Sequence, residues 1–355
     1  TYIKFLINLF NISLLKIFIV FFIIILITNI LEQIEFFKNI DLSFSYLFFL
    51  SLLNTPSVLF EILPFVFLLS TQLFFINLID KNELQVFKYT GLDNIKIIKI
   101  LGLYSFILGI VVVIFFYNGS SILKNSYLLI KNNYSDDNKY LAVITENGLW
   151  IKDEINENIN IINANKVNNE FLLNVSITRF NKDFDIIEIL QSEKVDITSK
   201  KWKIFNPIIL KGNSQSSLDE LVLQSNFDLQ KINGLFSNLS SLSIIDLITL
   251  RKSYISLNYS VTDINSHLLK IVSYPVYLTL ITIFSGIIMF NIGYQKNTFF
   301  NITLGIFLSV IIYYINNFLS ALGTNEKIPL TLSIFLPLII LLIINFISII
   351  KLNEK

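Results

Sequence analysis

The sequence predicts a membrane α-helical bundle of six transmembrane helices with an inserted extracytoplasmic all-β domain that is jelly-roll-like. Two observations predict this fold class. The 355 residues are 54% hydrophobic and only 15% charged, whereas about a quarter of the residues in a soluble domain are charged. The apolar segments also come in two groups of three, separated by a polar stretch. We therefore expect transmembrane helices at 1–117, with a short helix near 80–92, an extracytoplasmic domain at 118–268, and transmembrane helices at 269–355.

Each predicted span has the length that a helix needs to cross a bilayer, about 20 mostly apolar residues. The six segments are 11–31, 57–79, 98–117, 270–291, 299–321 and 330–350. Their orientation follows from the lysines of the short connections, because cytoplasmic loops are enriched in Lys and Arg. The lysines assigned to the cytoplasmic side are Lys4, Lys81, Lys88, Lys96, Lys99, Lys296, Lys351 and Lys355. Only Lys38 and Lys327 lie on the other side, so we expect both termini in the cytoplasm.

The polar stretch reads as β structure from Tyr140 to about Leu210. Apolar residues alternate in its centre, and turn-forming clusters separate the alternating runs, a pattern typical of antiparallel sandwiches and jelly rolls. Residues 213–233 are polar and less regular. Ser243 is a predicted N-cap of a following helix, and a second helix from about Val261 is expected to continue into the fourth span.

The connection from Asp80 to Lys99 is long enough for an amphipathic helix. Leu84, Phe87 and Leu92 form its apolar side, and Gly91 suits the left-handed conformation that ends a helix. We expect the apolar stripe through Leu84 and Phe87 to enter a groove of a partner protein. The alternative is a solvated helix that lies in the plane of the lipid headgroups.

Catalytic and cofactor signatures are missing from the sequence. It has no cysteine and one histidine, His267, which we interpret as an interfacial polar residue. Nucleotide-binding and hydrolase motifs are also missing, so we expect no cofactor in this chain, and energy for any transport must enter from another subunit. Glu61, inside the second span, is the ionisable residue best placed for a membrane function. A net charge of +1 without a basic block gives no reason to expect a nucleic-acid partner.

Short motifs in a fixed order give the chain a resemblance to one family. Asn82-Glu83-Leu84 leads to Thr90-Gly91 after the second span, within a plan of three spans, a β domain and three spans. In this order the chain resembles the LptF/LptG permeases, which export lipopolysaccharide from the bacterial inner membrane. Further matches favour the LptG branch: Gly148 to Asp153, Glu32-Gln33, Pro56, Leu63-Pro64, and Lys270 with Pro275.

The resemblance implies a function and a set of partners. The short helix would be the coupling helix that docks on an LptB-like ATPase dimer, which binds ATP and Mg. The implied coupling residues are Asn82, Glu83, Leu84, Phe87, Lys88 and Gly91. An LptF-like subunit would complete a central lipid cavity, and an LptC-like jelly-roll protein would continue a periplasmic bridge. The residues implied at the cavity or its gate are Asn29, Glu32, Glu35, Lys38, Glu61, Lys124, Lys131 and Lys270.

The chain departs from the family where basic residues usually meet lipid phosphates. Asn29, Glu35 and Ser57 occupy those places, and Phe116 to Gly119 replaces an acidic-proline signature. We therefore expect the partner subunit to supply phosphate contacts, or the lipid to carry less charge. Two other readings remain open: a non-transporting membrane anchor that scaffolds a periplasmic assembly, and an intramembrane lipid-modifying enzyme, which would need clustered ionisable residues.

Overall fold

The structure is a computed structural model, and it describes most of the chain. The described residues are 2–40, 42–89, 91–132, 134, 149–155, 158–168, 170–212, 214–229, 232, 238–256, 260–292 and 298–353. The predicted strand start at Tyr140 lies outside them, as do Gly148 and Thr90 of the motifs. The chain forms two compact units: Thr1–Lys124 with Thr262–Lys355, which we call the membrane unit, and Asn125–Val261, the β unit.

Nine α-helices and one π-helical turn are present in the described residues. They are α1 Tyr2–Phe36, α2 Phe44–Asp80, α3 Glu83–Tyr89, α4 Asn94–Val111, the π turn Val112–Tyr117, α5 Asn118–Asn132, α6 Ile244–Ser256, α7 Thr262–Ile292, α8 Thr298–Thr324 and α9 Leu330–Asn353. Helix α4, the π turn and α5 run on without a break. Six of these helical segments are long and apolar enough to cross a membrane, which confirms the six predicted spans.

The spans differ in how much of their apolar surface the membrane unit itself covers. Within the most apolar 18-residue window of each helix, 72% of the residues in α2 and 67% of those in α7 are buried, against 11% in α1 and in α8. Helices α2 and α7 are therefore the centre of this unit. Helices α1 and α8 leave most of their apolar surface for lipid or for another protein.

A polar seam joins α1 to α2. The Asn29 amide donates to Thr55 Oγ1 at 3.1 Å and accepts from Asn54 Nδ2 at 3.3 Å. All three side chains are buried. Hydrogen bonds of this kind hold transmembrane helices in register, because a polar group in hydrocarbon has few other partners.

The described part of the β unit forms an antiparallel β-sheet, which agrees with the predicted all-β domain. Its strands are β1 Leu149–Ile155, β2 Asn158–Asn168, β3 Phe171–Phe180, β4 Ile186–Asp196, β5 Lys201–Phe205, β6 Ile208–Lys211, β7 Ser214–Ser217 and β8 Glu220–Gln224. The main path runs in chain order from β1 to β5 and then to β8, while β6 pairs with β4 and β7. Ile151, Ile162, Ile177 and Leu190 lie side by side on neighbouring strands and are buried. They form the centre of the apolar inner face.

Strands β7 and β8 correct the sequence analysis, which treated residues 213–233 as irregular. The side chains of β7 are all exposed, and those of β8 are buried at one position only. Such strands lack the alternation of buried and exposed residues from which a strand is recognised. Downstream, Ser243 caps α6 as predicted: its Oγ accepts from the backbone N of Asp246 at 3.2 Å.

A carboxylate clamp links β1, at one end of the sheet, to the residues just after β8, at the other end. Asp153 on β1 is 1% exposed, and it accepts hydrogen bonds from Ser225 Oγ at 2.8 Å and from Asn226 Nδ2 at 2.8 Å, just after β8. Next to this clamp, Trp202 Nε1 donates to the carbonyl of Phe227 at 2.8 Å. The chain after β8 therefore crosses the inner face of the sheet, which gives the domain the form of a half-barrel.

Candidate functional site

A layer of three aromatic rings supports the candidate site in the membrane unit. The ring of Phe60 on α2 stacks on Tyr274 of α7, with centroids 4.5 Å apart, and lies 5.1 Å from the ring of Tyr117. The hydroxyl of Tyr274 donates to the backbone carbonyl of Phe60. Three helical segments therefore meet at this point, each with one aromatic residue.

The π turn orients Tyr117 toward α7. Tyr117 is the last residue of this turn, is 2% exposed, and its phenol oxygen lies 2.9 Å from Nε2 of His267 in hydrogen-bond contact. A π turn holds one residue more than an α turn and is frequently found at functional sites. Its extra residue sets the direction of every side chain that follows in α5.

A charged group lies beside the aromatic layer. Glu61 follows Phe60 on α2, Lys124 lies two helical turns beyond Tyr117, and Lys270 lies one turn before Tyr274. Because residues about four or seven apart share a helix face, each lysine lies on the same face of its helix as Tyr117 or Tyr274. All three residues are therefore close along their helices to the same aromatic layer. We call Glu61, Lys124, Lys270 and His267 the charge cluster.

The charge cluster is suited to binding an anion. It combines two lysines with one carboxylate and the imidazole of His267, so its net charge is positive when both lysines are protonated. Both lysines are half-buried, while Glu61 is exposed. Partly desolvated lysines bind phosphate as point charges. Within the described residues, no group of three or more His, Cys, Asp or Glu is arranged to hold a metal ion.

The predicted cavity residues fall into separate places. Glu61, Lys124 and Lys270 come together in the charge cluster, whereas Glu32, Glu35 and Lys38 are exposed at or just after the end of α1. Asn29 belongs to the polar seam. Lys131 is buried in the β unit, where its Nζ donates to Tyr127 Oη at 2.8 Å. Their roles in lipid binding stay predictions.

Sequence reasoning missed the contribution of His267, Tyr117, Phe60 and Tyr274. His267 was interpreted as a lone polar residue at the interface, but it contacts Tyr117 on a different helix. The available signal was the spacing of His267, Lys270 and Tyr274, which places the three on one face of α7. The facing residues on α2 and on the π turn could be found only from the fold.

Helix α3 presents a different face from the one expected. Leu84 is 0% exposed and belongs to the core of the membrane unit, and Phe87 packs against Phe5 of α1 with ring centroids 5.9 Å apart. Because Leu84 is fully buried in the chain's own core, it is not available to a partner's groove as predicted, while a part of Phe87 in docking stays a prediction. A seven-residue helix has one apolar stripe, and here that stripe anchors it to its own bundle. The outward side instead exposes Val86 at 59% and Tyr89 at 90%.

The end of α3 is built as predicted. Gly91 has φ +82°, the left-handed conformation that glycine adopts without strain. The backbone N of Leu92 donates to the carbonyl of Phe87 at 3.0 Å, and that of Gly91 donates to the carbonyl of Lys88 at 3.1 Å. This pair of bonds is the Schellman motif that terminates helices, and it fixes the orientation of α3 against α4.

Comparison with known protein families agrees with this arrangement of elements. The family described as lipopolysaccharide export system permease LptF/LptG matches residues 4–351. The chain belongs to the LptF/LptG family. The match includes all six spans, α3 and the β unit, so this LptF/LptG protein is a multi-pass inner-membrane permease of the lipopolysaccharide export system and works within that export complex. No curated protein matches the chain.

Proposed function

We propose that the chain is an LptG-type subunit of an ABC transporter that extracts lipopolysaccharide from the inner membrane and passes it toward a periplasmic β bridge. It would hold no cofactor, since ATP and Mg would be bound by an LptB-like ATPase dimer. The observation that carries this proposal is the construction of α3. A short helix is fixed rigidly to the bundle on one side and exposes a mixed apolar and polar surface on the other.

The outward side of α3 is the proposed docking surface for the ATPase. Val86 and Tyr89 are its large exposed side chains, and Gln85, Lys88 and Asn82 are the exposed polar ones. Exposed aromatic residues are favoured as anchors in protein interfaces. Leu84 and Phe87 would transmit movements of the ATPase to the transmembrane helices, because both side chains pack against the core of the membrane unit. Glu83 is half-buried beside them.

The proposed lipid path begins at the charge cluster. Lys124 and Lys270 would hold an anionic group of the lipid at the outer end of the bundle. The open apolar surfaces of α1 and α8 would face an LptF-like subunit and, with it, enclose the acyl chains. This arrangement is supported by the low burial of α1 and α8, which a partner helix or lipid must cover.

The orientation completes the proposal. The lysines of the short connections favour a cytoplasmic position for α3 and both termini, so the β unit would be periplasmic. Its sheet ends in β1 on one side and β8 on the other. An LptC-like jelly-roll protein would add a strand to one of these ends, because an end strand can pair with another chain.

The test is a reconstituted complex of the chain with its partner permease and the ATPase in lipid vesicles. The double substitution Val86→Ser with Tyr89→Ala should lower ATP-driven lipid release about tenfold, as for loss of one or two interface anchors, and should leave the thermal unfolding temperature of the chain unchanged. Ile245→Ser on α6, whose apolar side chain is also exposed, is the matched control and should have no effect.

Lipid release that is unaffected by the double substitution would overturn the coupling role of α3. If α3 could also be replaced by a neutral linker without loss, the scaffold reading would be favoured instead. Purification of the complex tests the assignment to the LptG branch. An LptG-type chain should co-purify with an LptF-type subunit rather than with a second copy of itself.

A further inference from the structure

A cavity lies at one end of the membrane unit, where α7 begins and where α8 is connected to α9. Its volume is about 400 Å³, within the range of small-ligand sites, about 300–1,000 Å³. Four of the residues that line it are polar or charged, and the other described lining residues are apolar or glycine. The polar and charged ones are Thr262, Asn265, Glu326 and Lys327.

The cavity lies at the level where the spans end. The membrane-spanning segments Ile302–Thr324 and Leu330–Leu352 are joined by residues 325–329, and this connection supplies much of the lining. A molecule that reaches the cavity from the bilayer therefore does so at the depth of the lipid headgroups. Lys327 is also one of only two lysines that the sequence predicts on the side away from the cytoplasm. The lysine bias of cytoplasmic loops does not account for it.

Glu326 occupies a backbone position that favours glycine. The backbone N of Lys327 donates to the carbonyl of Leu322 at 3.0 Å, and that of Glu326 donates to the carbonyl of Gly323 at 3.1 Å. This is the Schellman motif that also ends α3, where Gly91 holds the left-handed position. Here Glu326 holds it, with φ +58°, although a side chain raises the free energy of this conformation. Backbone strain of this kind is often found at functional sites.

The side chain of Glu326 is directed to the cavity by this turn. Its Oε1 accepts a hydrogen bond from Thr262 Oγ1 at 3.5 Å, and Lys327, the next residue, lines the same cavity. Both charged side chains are exposed, so a headgroup can reach them. The cavity therefore offers one negative and one positive group side by side.

We propose that this cavity binds the phosphoethanolamine headgroup of a bilayer phospholipid, with the ammonium group of the lipid on Glu326 and its phosphate on Lys327. The inference goes beyond the proposed function, because it concerns a lipid of the surrounding bilayer and not the lipid that is exported. The site is also separate from the charge cluster, since the two share no residue.

The chemistry of the lining selects this headgroup over other common ones. The primary ammonium group of ethanolamine donates hydrogen bonds, and a carboxylate such as that of Glu326 is a strong acceptor for them. The quaternary ammonium group of choline has no N–H, and proteins bind it with cages of aromatic rings. None of the described lining residues is aromatic. Phosphatidylglycerol would bring its phosphate to Lys327 but no cation to Glu326.

The experiment compares three lipids with identical acyl chains. Phosphatidylethanolamine, phosphatidylcholine and phosphatidylglycerol are each titrated into the full chain, purified in detergent and freed of native phospholipid. Native mass spectrometry gives the affinity for the first lipid bound. We expect phosphatidylethanolamine to bind about tenfold more tightly than either of the others, as one hydrogen bond between charged groups would give.

Two substitutions separate the roles of the charged groups. Glu326→Gly removes the carboxylate and suits the left-handed backbone, so the preference for phosphatidylethanolamine should fall to about onefold while the thermal unfolding temperature does not fall. A residue that only ended the helix would be replaced by glycine without any change in lipid binding. Lys327→Gln should weaken all three lipids about tenfold, because each has a phosphate, and should leave the preference for ethanolamine over choline in place.

Asp263→Asn is the matched control. Asp263 is an exposed carboxylate next to Thr262 on α7, but it does not line the cavity, and its substitution should leave the preference unchanged. Equal binding of the three lipids by the unaltered chain would overturn the proposal. A preference that survives in Glu326→Gly, or that is lost equally in Asp263→Asn, would also overturn it, because the lipid would then respond to something other than this cavity. The charge cluster is intact in all these variants, so these results leave the proposed export path untouched.

Discussion

Gly109 and Pro275 bring α4 and α7 into backbone contact. A Cβ atom added at Gly109 would lie 2.7 Å from Cα and 3.1 Å from Cβ of Pro275. Proline has no backbone N–H, and a carbonyl is left without its helical partner one turn earlier. Close helix approach at a small residue favours association in membranes, because packing rather than the hydrophobic effect holds helices together there.

Gly109→Ala should therefore destabilise the membrane unit by about 1–3 kcal/mol, the usual cost of overpacking. The neighbouring atoms belong to backbone and a rigid ring, so they cannot move aside. The measurement is thermal unfolding of the purified chain in detergent. Gly119→Ala is the control: a Cβ there meets nothing within 4 Å, so this change should be neutral or stabilise by up to about 1 kcal/mol. Equal behaviour of the two variants would contradict the contact.

Asp153→Asn should open the clamp of the β unit. The new amide would turn a donor toward groups that already donate, and leaving such buried groups unpaired costs about 3 kcal/mol in total. The sequence has two tryptophans, so in a Trp150→Phe background the fluorescence reports Trp202 beside the clamp. A red shift and easier quenching are expected in Asp153→Asn. Asp219→Asn, an exposed carboxylate near β8, should leave the spectrum as it was; an identical shift in both would argue against the clamp.

Asn29→Ala should loosen α1 from α2 by about 1 kcal/mol, the typical value of an interhelical hydrogen bond in membranes. The loss should appear as a lower thermal unfolding temperature. Thr28→Ala provides the comparison, because its hydroxyl bonds within α1 to the carbonyl of Ile25 at 2.8 Å. If Asn29→Ala changed lipid affinity while leaving stability intact, Asn29 would belong to the lipid cavity rather than to the seam.

Gly91→Ala should strain the end of α3, since a left-handed residue with a side chain costs about 1–2 kcal/mol. We expect weaker binding of the ATPase in a pull-down, because the helix direction depends on this turn. Gly91→Asn should be tolerated better, as asparagine adopts this conformation more easily. If both variants bind the ATPase as tightly as the unaltered chain does, the conformation of the turn at Gly91 is not needed for docking.

The elements that the sequence predicts well are those that composition and local rules determine. The six spans follow from apolar length, and Gly91 and Ser243 follow from the chemistry of helix ends. Strands β7 and β8 escape prediction because their side chains are almost all exposed. Their formation depends on hydrogen bonding to β6 and β5, and the sequence of one strand does not show which strand it pairs with.

The residues of the candidate site also differ in how far the sequence predicts them. Glu61, Lys124 and Lys270 stand out as charges in apolar surroundings, so each can be singled out alone. Their meeting, and the part of Tyr117 and His267, depends on which faces of three helices come together. The error on Leu84 has a related cause. The sequence pattern of an apolar stripe is the same whether the stripe packs against its own bundle or binds a partner protein.

The direction of Lys124 in the charge cluster depends on the number of residues in the π turn at Val112–Tyr117, as well as on the type of residue at position 124. Successive residues of an α-helix are rotated by about 100°, and one residue inserted into α4 is what this turn accommodates. Deletion of a single residue between 112 and 117 would rotate Lys124 by that angle about the helix axis, together with every other side chain of α5. Homologues that lack the insertion would need their cation one position away along α5.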